Sequence, residues 1–274
     1  MSLLWRDRIS IALSPDRIAL VRLTRGLRTR VTAKRCEILV PQPAEAPWHS
    51  ALARLEDILI EPEWKNADVT VVLSNHFMRY ACIPRIDKVS KDEEQLALAR
   101  YRFANIYGDV AQNWTLRLNT SDDAATHLAS AVDTELLAAV RQLLLKNQLD
   151  CISIQPYMMA SFNQFTKLIT KDNVWFAAVE SGKLCLALLK GGQWHRVQMC
   201  RVDGVETLNT WLDRENLASD LATPCRDVLL FAPETAQSQN RDSSYHIQRL
   251  ALPAYEGFSP LTDRQYAMAM SGVM

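Results

Sequence analysis

The chain has 274 residues, 48% of them hydrophobic and 23% charged, which is the balance of a folded globular protein and a length that suits two cores better than one. Lys plus Arg equals Asp plus Glu at 31 each, so no global field draws the chain to nucleic acid or to an anionic membrane. No run approaches the roughly 18–20 apolar residues that span a bilayer, and the opening MSLLWRDRIS is charged by its sixth residue and lacks an apolar signal core, so a cytoplasmic protein is expected.

The first forty residues depart from this neutrality. They carry nine basic side chains against Asp7, Asp16 and Glu37. One reading is a solvated edge hairpin whose Arg stems cover apolar surface; the other is a docking face for an acidic partner. Within this stretch, residues 8–13, 17–24 and about 29–40 read as three strands joined by short turns, the meander that parallel sheets often carry at one side. A helix is predicted over 46–60, with Leu52, Leu55 and Leu59 on one face. A buried strand follows at 68–74.

The next segment has no counterpart later in the chain. A strand runs from Phe77 to Ile83 and is ended by Pro84. Ser90 and Glu93 form a capping box for a helix whose apolar positions are Leu96, Ala99, Phe103, Ile106 and Tyr107. Strands are predicted at 113–119 and 126–132, then a helix capped by Asp133, the strand CISIQ, and a linking helix over 156–170. From Asn173 the opening order returns. Three strands (174–180, 183–190 and 194–202) turn at Ser181-Gly182 and Gly191-Gly192. A helix over 204–218 follows, with Val205, Leu208, Trp211 and Leu212 on one stripe. A buried strand at 227–232 and a last strand around Tyr245–Leu252 complete the half.

Three strands, helix, strand, and a further helix or strand is the ribonuclease-H-type order, and two copies make the actin-like architecture. The fold class expected is therefore α/β, with two lobes and a small α/β subdomain inserted in the first. The corresponding domains are 1–76 with 134–170 for the first lobe, 77–133 for the insertion, and 171–274 for the second lobe with a loose tail from Glu256.

The chemistry-bearing residues are sparse. Eight glycines are under half of the average usage of about 7%, where an enzyme that cradles phosphate would concentrate them in loops. The six cysteines, Cys36, Cys82, Cys151, Cys185, Cys200 and Cys225, show no CxxC pair and read as small buried hydrophobes. The five histidines show no HxxxH or HExxH spacing. No GxSxG or Ser/His/Asp order is present. A ribonuclease-H-type nuclease would need carboxylates converging at the first strand, and that strand offers none. No metal and no cofactor is expected.

Together the segments ISIALSPDRIALVRL, VTVVLSNHFMRYACIPR and FAAVESGKLCLALLKGGQWHRVQ resemble the cytoplasmic actin-like proteins of type IV pilus and type II secretion systems, namely PilM, MshI and the cytoplasmic part of the secretion L protein. The resemblance implies a scaffold at the inner-membrane platform. It implies the cytoplasmic tail of a membrane-anchored pilus or secretion protein as partner, often with an assembly ATPase, and membrane attachment through those partners alone. Nucleotide-binding members of such families place an Asp, a Gly and a Lys where this chain has Ala12, Ser14 and Ala19, and the Asp normally holds the magnesium-bound water. At the second phosphate loop Glu180 and Gly182 remain, but Lys183 replaces a small hydroxyl. Both phosphate loops thus read as degenerate, and a diverged ATP-binding enzyme is the alternative. A third reading, nucleic-acid binding through residues 22–35, predicts salt-sensitive binding to any duplex. Family members receive a partner's short peptide in a groove between the insertion and the first lobe, and the resemblance makes Arg79, Tyr80, Arg102 and Tyr107 the candidate contacts.

Overall fold

The structure, a computed structural model, describes residues 6–24, 29–40, 46–85, 92–119, 125–202, 208–235 and 244–273. Its strands in chain order begin with the meander β1 (Asp7–Leu13), β2 (Arg17–Thr24) and β3 (Arg30–Ile38), followed by helix α1 (His49–Leu59), β4 (Ala67–Leu73) and β5 (Met78–Pro84). Helix α2 (Asp92–Tyr107), β6 (Trp114–Asn119), β7 (Thr126–Asp133), α3 (Thr134–Lys146), β8 (Asp150–Pro156) and α4 (Tyr157–Phe165) come next. The second half holds β9 (Asn173–Glu180), β10 (Lys183–Lys190), β11 (Gln193–Arg201), α5 (Leu208–Leu217), β12 (Asp227–Phe231), β13 (His246–Arg249) and α6 (Ala267–Ser271).

Two five-stranded sheets have the same order, β3-β2-β1-β4-β8 and β11-β10-β9-β12-β13. In each, a meander pairs antiparallel and the remaining strands pair parallel. This is the duplicated ribonuclease-H-type, actin-like fold expected from the order of elements. The central strands read as continuous apolar runs because both faces are covered. Ile9, Ile11, Leu13, Val69 and Val71 are almost wholly buried in the first sheet, as are Trp175, Ala177, Leu186 and Leu230 in the second.

The chain forms two compact units. One comprises Met1–Met78, Asp133–Gln164 and Ala251–Met274, and the other Arg79–Val132 with Phe165–Leu250. This grouping differs from the expected domains in two ways. The inserted segment, a three-stranded sheet of order β5-β7-β6 carrying α2, belongs with the second five-stranded sheet. The final segment belongs with the first.

That final segment, expected loose, is packed. Every residue of α6 is buried, and the helix lies on β1, β2 and β4. The Ser10 hydroxyl donates to the Ala269 carbonyl at 2.5 Å, and Gln164 donates through Nε2 to the carbonyls of Ser271 at 3.1 Å and Val273 at 2.6 Å. Gly272 ends the helix where a Cβ would stand 2.7 Å from Val72 Cγ2. Upstream, the Val31 amide on the outer strand β3 donates to the Glu256 carbonyl at 2.8 Å, so the same segment covers part of that sheet's edge.

Other local readings are met, with adjustments. Helix α1 buries Leu52, Leu55 and Leu59 as expected, with Ala51 and Ile58 beside them. Asp133 caps α3 by accepting from the Glu135 amide at 2.8 Å. On α2, Ala99 and Phe103 enter the core of the three-stranded sheet with Ile83, Leu116, Ala129 and Ala131. Ile106 does not, and is 54% exposed. The helix stripe continues at i+4 rather than i+3 from Phe103, because Tyr107 stacks on that ring at 6.1 Å and meets Trp114 edge-on at 5.1 Å. The capping Ser90 lies outside the described residues, as does Val205 of the expected stripe on α5. Of the cysteines, Cys185, Cys200 and Cys225 are buried, Cys36 and Cys82 half-buried, and Cys151 exposed. The last differs from the expectation, because it lies on β8, the outermost strand of its sheet.

Candidate functional site: a basic cleft between two sheet edges

The two turns that would hold phosphate in a nucleotide-binding relative are each built from their own bonds. At the first, Ala12 on β1 pairs in register with Ala19 on β2 and, on its other side, with Val72 on β4. Both alanines are buried, at 4% and 2% exposure. The positions of the expected Asp and Lys therefore face each other across one ladder as two methyl groups, and no carboxylate is there to hold a hydrated metal. The turn itself is closed internally. The Ser14 amide donates to the Arg17 carbonyl at 2.9 Å, and the Ser14 hydroxyl reaches the Asp16 carboxylate at 2.8 Å and the same carbonyl at 2.9 Å.

At the second turn, Gly182 sits at φ +67° and makes the tight β9–β10 hairpin possible. Its carbonyl accepts from the Val202 amide at 3.1 Å. Glu180 is buried, and pairs in register with Lys183 across the hairpin. Lys183 in turn pairs with Arg201 on β11. Burial lowers the Lys183 pKa, and the neighbouring Arg79 lowers it further, against the opposing effect of Glu180.

Lys183 and Arg201 open onto a concavity of about 310 Å³ that they share with Arg79, Tyr80, Tyr107 and the run from Val197 to Cys200. Three of the four sequence-predicted contacts, Arg79, Tyr80 and Tyr107, thus come together. Arg102 does not join them; it is exposed on α2. The opposite wall also differs from the expected one, since strands β10 and β11 of the second sheet supply it. Sequence reasoning missed Lys183 and Arg201 as members of this site. The available signal was the hairpin register, which sets Glu180, Lys183 and Arg201 side by side, but nothing in the sequence brings β5 to that hairpin.

The framework around the cleft is specific. Arg79 stands over the Trp114 ring, with its guanidinium carbon 5.9 Å from the centroid. Further along, Cys82 on β5 is held near Arg196, and burial pushes its thiol up to about 12. Arg196 pairs with the buried Glu215 of α5 at 2.6 Å. The far end is tied where the Ala125 amide donates to the Gln193 side chain at 3.1 Å. On α5, Asn216 uses both ends of its amide. It accepts from the Trp175 indole at 3.2 Å and the Cys225 amide at 3.0 Å, and donates to the Cys225 carbonyl and Tyr245 hydroxyl, each at 3.0 Å.

The basic N-terminal stretch behaves otherwise. Arg22 pairs with Asp7 at 2.8 Å, Lys34 with Asp263 at 2.7 Å, Arg35 with Glu37 at 2.7 Å and Arg30 with Glu256 at 3.5 Å. Arg6 pairs with Asp150. Its charge is thus largely answered within its own unit, two of the acids being supplied by the final segment, which counts against an open docking face. Among the described residues no group of three or more His, Cys, Asp or Glu side chains is placed to hold a metal ion. No described helix is long and apolar enough to cross a membrane.

No protein-family model matches the chain, and no curated protein sequence matches it. Solved structures do. A chain of the PilM–PilN type IV pilus biogenesis complex is similar at TM-score 0.53 and 16% identity, over 72% of this chain and 62% of that one. The cytoplasmic domain of EpsL, an inner-membrane component of the type II secretion system of Vibrio cholerae, is similar at TM-score 0.57 and 12% identity, over 98% of this chain and 96% of that one. A Bacteroides thetaiotaomicron protein with an actin-like ATPase fold and unknown function is similar at TM-score 0.57 and 10% identity, over 86% and 84%. The chain thus spans less than two thirds of the PilM–PilN chain and nearly all of the EpsL domain. At these identities the likeness establishes the actin-like fold.

Proposed function

We propose that this chain is a non-enzymatic scaffold that acts by binding other proteins, in the cytoplasm at the inner-membrane platform of a type IV pilus or type II secretion system. The observation that carries the reading is the buried Ala12–Ala19 pair in an otherwise complete actin-like fold. A phosphoryl-transfer site works by placing a metal and cationic groups around the phosphates, and this strand pair replaces both with methyl groups. A fold kept without its chemistry is a fold kept for its surfaces.

The partner proposed is the cytoplasmic tail of a membrane-anchored pilus or secretion protein, which also holds the chain at the membrane; an assembly ATPase is the second. Similarity to a PilM–PilN chain and to the EpsL domain supports this choice. The cleft of Arg79, Tyr80 and Tyr107 is the proposed contact, because Tyr and Arg give large contact area and directed hydrogen bonds, with the exposed Arg102 as a separate contact on α2. The second reading, an ATP-binding enzyme, has in its favour the retained Glu180 and Gly182.

The test is capture of short cytoplasmic tails from the bitopic pilus or secretion proteins encoded beside this chain, by the purified protein and by Arg79→Glu and Arg102→Glu. Specific capture of one tail, weakened by Arg79→Glu, is the expected result. Capture of no tail overturns the scaffold role.

A further inference from the structure

The cleft lies between two strands that each end a sheet. β5 is outermost in β5-β7-β6 and β11 is outermost in β11-β10-β9-β12-β13. Five consecutive β11 residues, Val197 to Arg201, line it, so one wall is the edge of a strand and not merely a set of side chains. The ladder register says which of its backbone groups face outward. The Val202 amide bonds the Gly182 carbonyl, and the pairing runs without a shift from Lys183↔Arg201 to Leu188↔Arg196. In an antiparallel ladder, residues alternate between bonding the neighbour and facing away. Cys200 and Gln198 therefore bond β10, while Arg201, Met199 and Val197 turn their N–H and C=O groups away from it. Among the described residues no backbone hydrogen bond satisfies those outward groups. An unpaired edge of this kind is a template for another strand.

The charges around this edge are of one sign. Arg79 reaches the cleft from β5, Lys183 from β10 and Arg201 from β11 itself. The nearest acid, Glu180, is buried at 7% exposure. Burial and Arg79 lower the Lys183 pKa, Glu180 opposes them, and Arg201 adds a smaller lowering. Three cations line the cleft against one buried carboxylate beside it, so the net positive charge at this strand edge favours an acidic ligand. The chain as a whole is neutral, so the preference is local to the cleft and does not extend to polyanions generally.

Building on the scaffold reading, we propose that the cleft takes an extended acidic segment of a partner protein, which adds to the outer edge of β11 as a strand while its carboxylates meet Arg79, Lys183 and Arg201. Main-chain bonds supply affinity in such strand addition, and side chains on alternate positions supply specificity. Tyr80 and Tyr107 flank the segment's apolar positions.

The experiment is a fluorescence-anisotropy titration of the full chain with a labelled peptide of alternating Glu and Val. Its comparators are the Lys-for-Glu peptide and the Glu peptide N-methylated at alternate amides. Met199→Pro is the informative variant. It deletes an outward N–H but no bond to β10, a position where an edge strand tolerates proline. Lys183→Glu reverses one cation, and melting curves of both variants confirm that they fold. The Glu peptide is expected to bind. Loss of each main-chain bond is expected to weaken it about fivefold, so Met199→Pro and N-methylation reduce affinity, and Lys183→Glu and the Lys peptide abolish it. Full binding by the N-methylated peptide, or equal binding of Glu and Lys peptides, overturns the proposal, as does failure of the Glu peptide to bind. So does binding of anionic phosphatidylserine vesicles that the Glu peptide cannot displace and Lys183→Glu removes. Should Met199→Pro fail to fold, the N-methylated peptide alone decides. The scaffold reading fails separately: a tail captured by the chain regardless of Met199→Pro and Lys183→Glu leaves that role standing and removes the strand mode.

Discussion

Glu37 shows how a single side chain on a strand can tie the first unit's surface together. It accepts from Arg54 of α1 through both oxygens and from Arg35 two residues before it on β3. The Arg54 hydrogen bonds, with Arg35 adding to them and desolvation opposing, hold its pKa below the ordinary 4.5. A carboxylate whose pKa is depressed on folding stabilises the folded state fully above its unfolded value, and this contribution is lost as pH falls through the folded value. The urea midpoint is therefore expected to be level above about pH 5 and to fall below about pH 4.5. Glu37→Gln removes the titrating group and should flatten part of that slope. It should not remove all of it, because Asp227, bonded to Lys171 and His246, is also held low. A midpoint that falls equally in the wild type and Glu37→Gln would show that the Arg54–Glu37–Arg35 arrangement contributes nothing.

Among the elements, α6 was the least legible and is among the most constrained. Its sequence AMAMS is five residues long, too short for a 3.6-residue period to register, and only contact with a distant sheet makes it a helix. The inner strands of both meanders were legible because an apolar run between turn residues needs no distant partner to identify it. The cleft was half legible. Arg79, Tyr80 and Tyr107 were singled out as cationic and aromatic residues of the groove that the family resemblance implies, whereas Lys183 and Arg201 join them through a tertiary placement of β5 that no local pattern encodes. Arg102 was singled out on the same composition and misplaced by its position on the helix, one residue before the inward Phe103. For α6 the expected consequence is direct. Gly272 has an ordinary φ of −80°, so Gly272→Ala costs no backbone strain, yet the new methyl meets Val72 Cγ2 at 2.7 Å, Ser10 Oγ at 3.0 Å and Thr70 Cγ2 at 3.2 Å. Overpacking of this kind costs about 1–3 kcal/mol. Thermal unfolding should show a lower Tm for Gly272→Ala, and limited proteolysis should cleave the final segment faster. An unchanged Tm would mean that α6 gives way freely and does not clamp the sheet.

At the scale of the whole molecule, the question is what a duplicated fold does when its first turn carries Ala12 and Ala19. Two sheets of identical strand order persist, but the carboxylate position of the first carries Ala12 and the Ser14 amide is spent within its own turn. Restoring a carboxylate at position 12 would bury it between Ala19 and Val72, at a cost in desolvation. Magnesium-ATP is therefore expected to leave the melting curve unmoved at millimolar concentration. The measurement is sensitive enough to decide, because a ligand at about 100 times its Kd stabilises by about 2.7 kcal/mol, which moves Tm by several degrees in a chain of this size. A partner tail obeys the same linkage and should raise Tm where the nucleotide does not. A shift with nucleotide that disappears in Gly182→Val would place phosphate at the β9–β10 turn and return the chain to the enzymes. A shift with the tail alone assigns the fold's remaining selection to its surfaces, and the basic edge of β11 is the surface whose loss should abolish it.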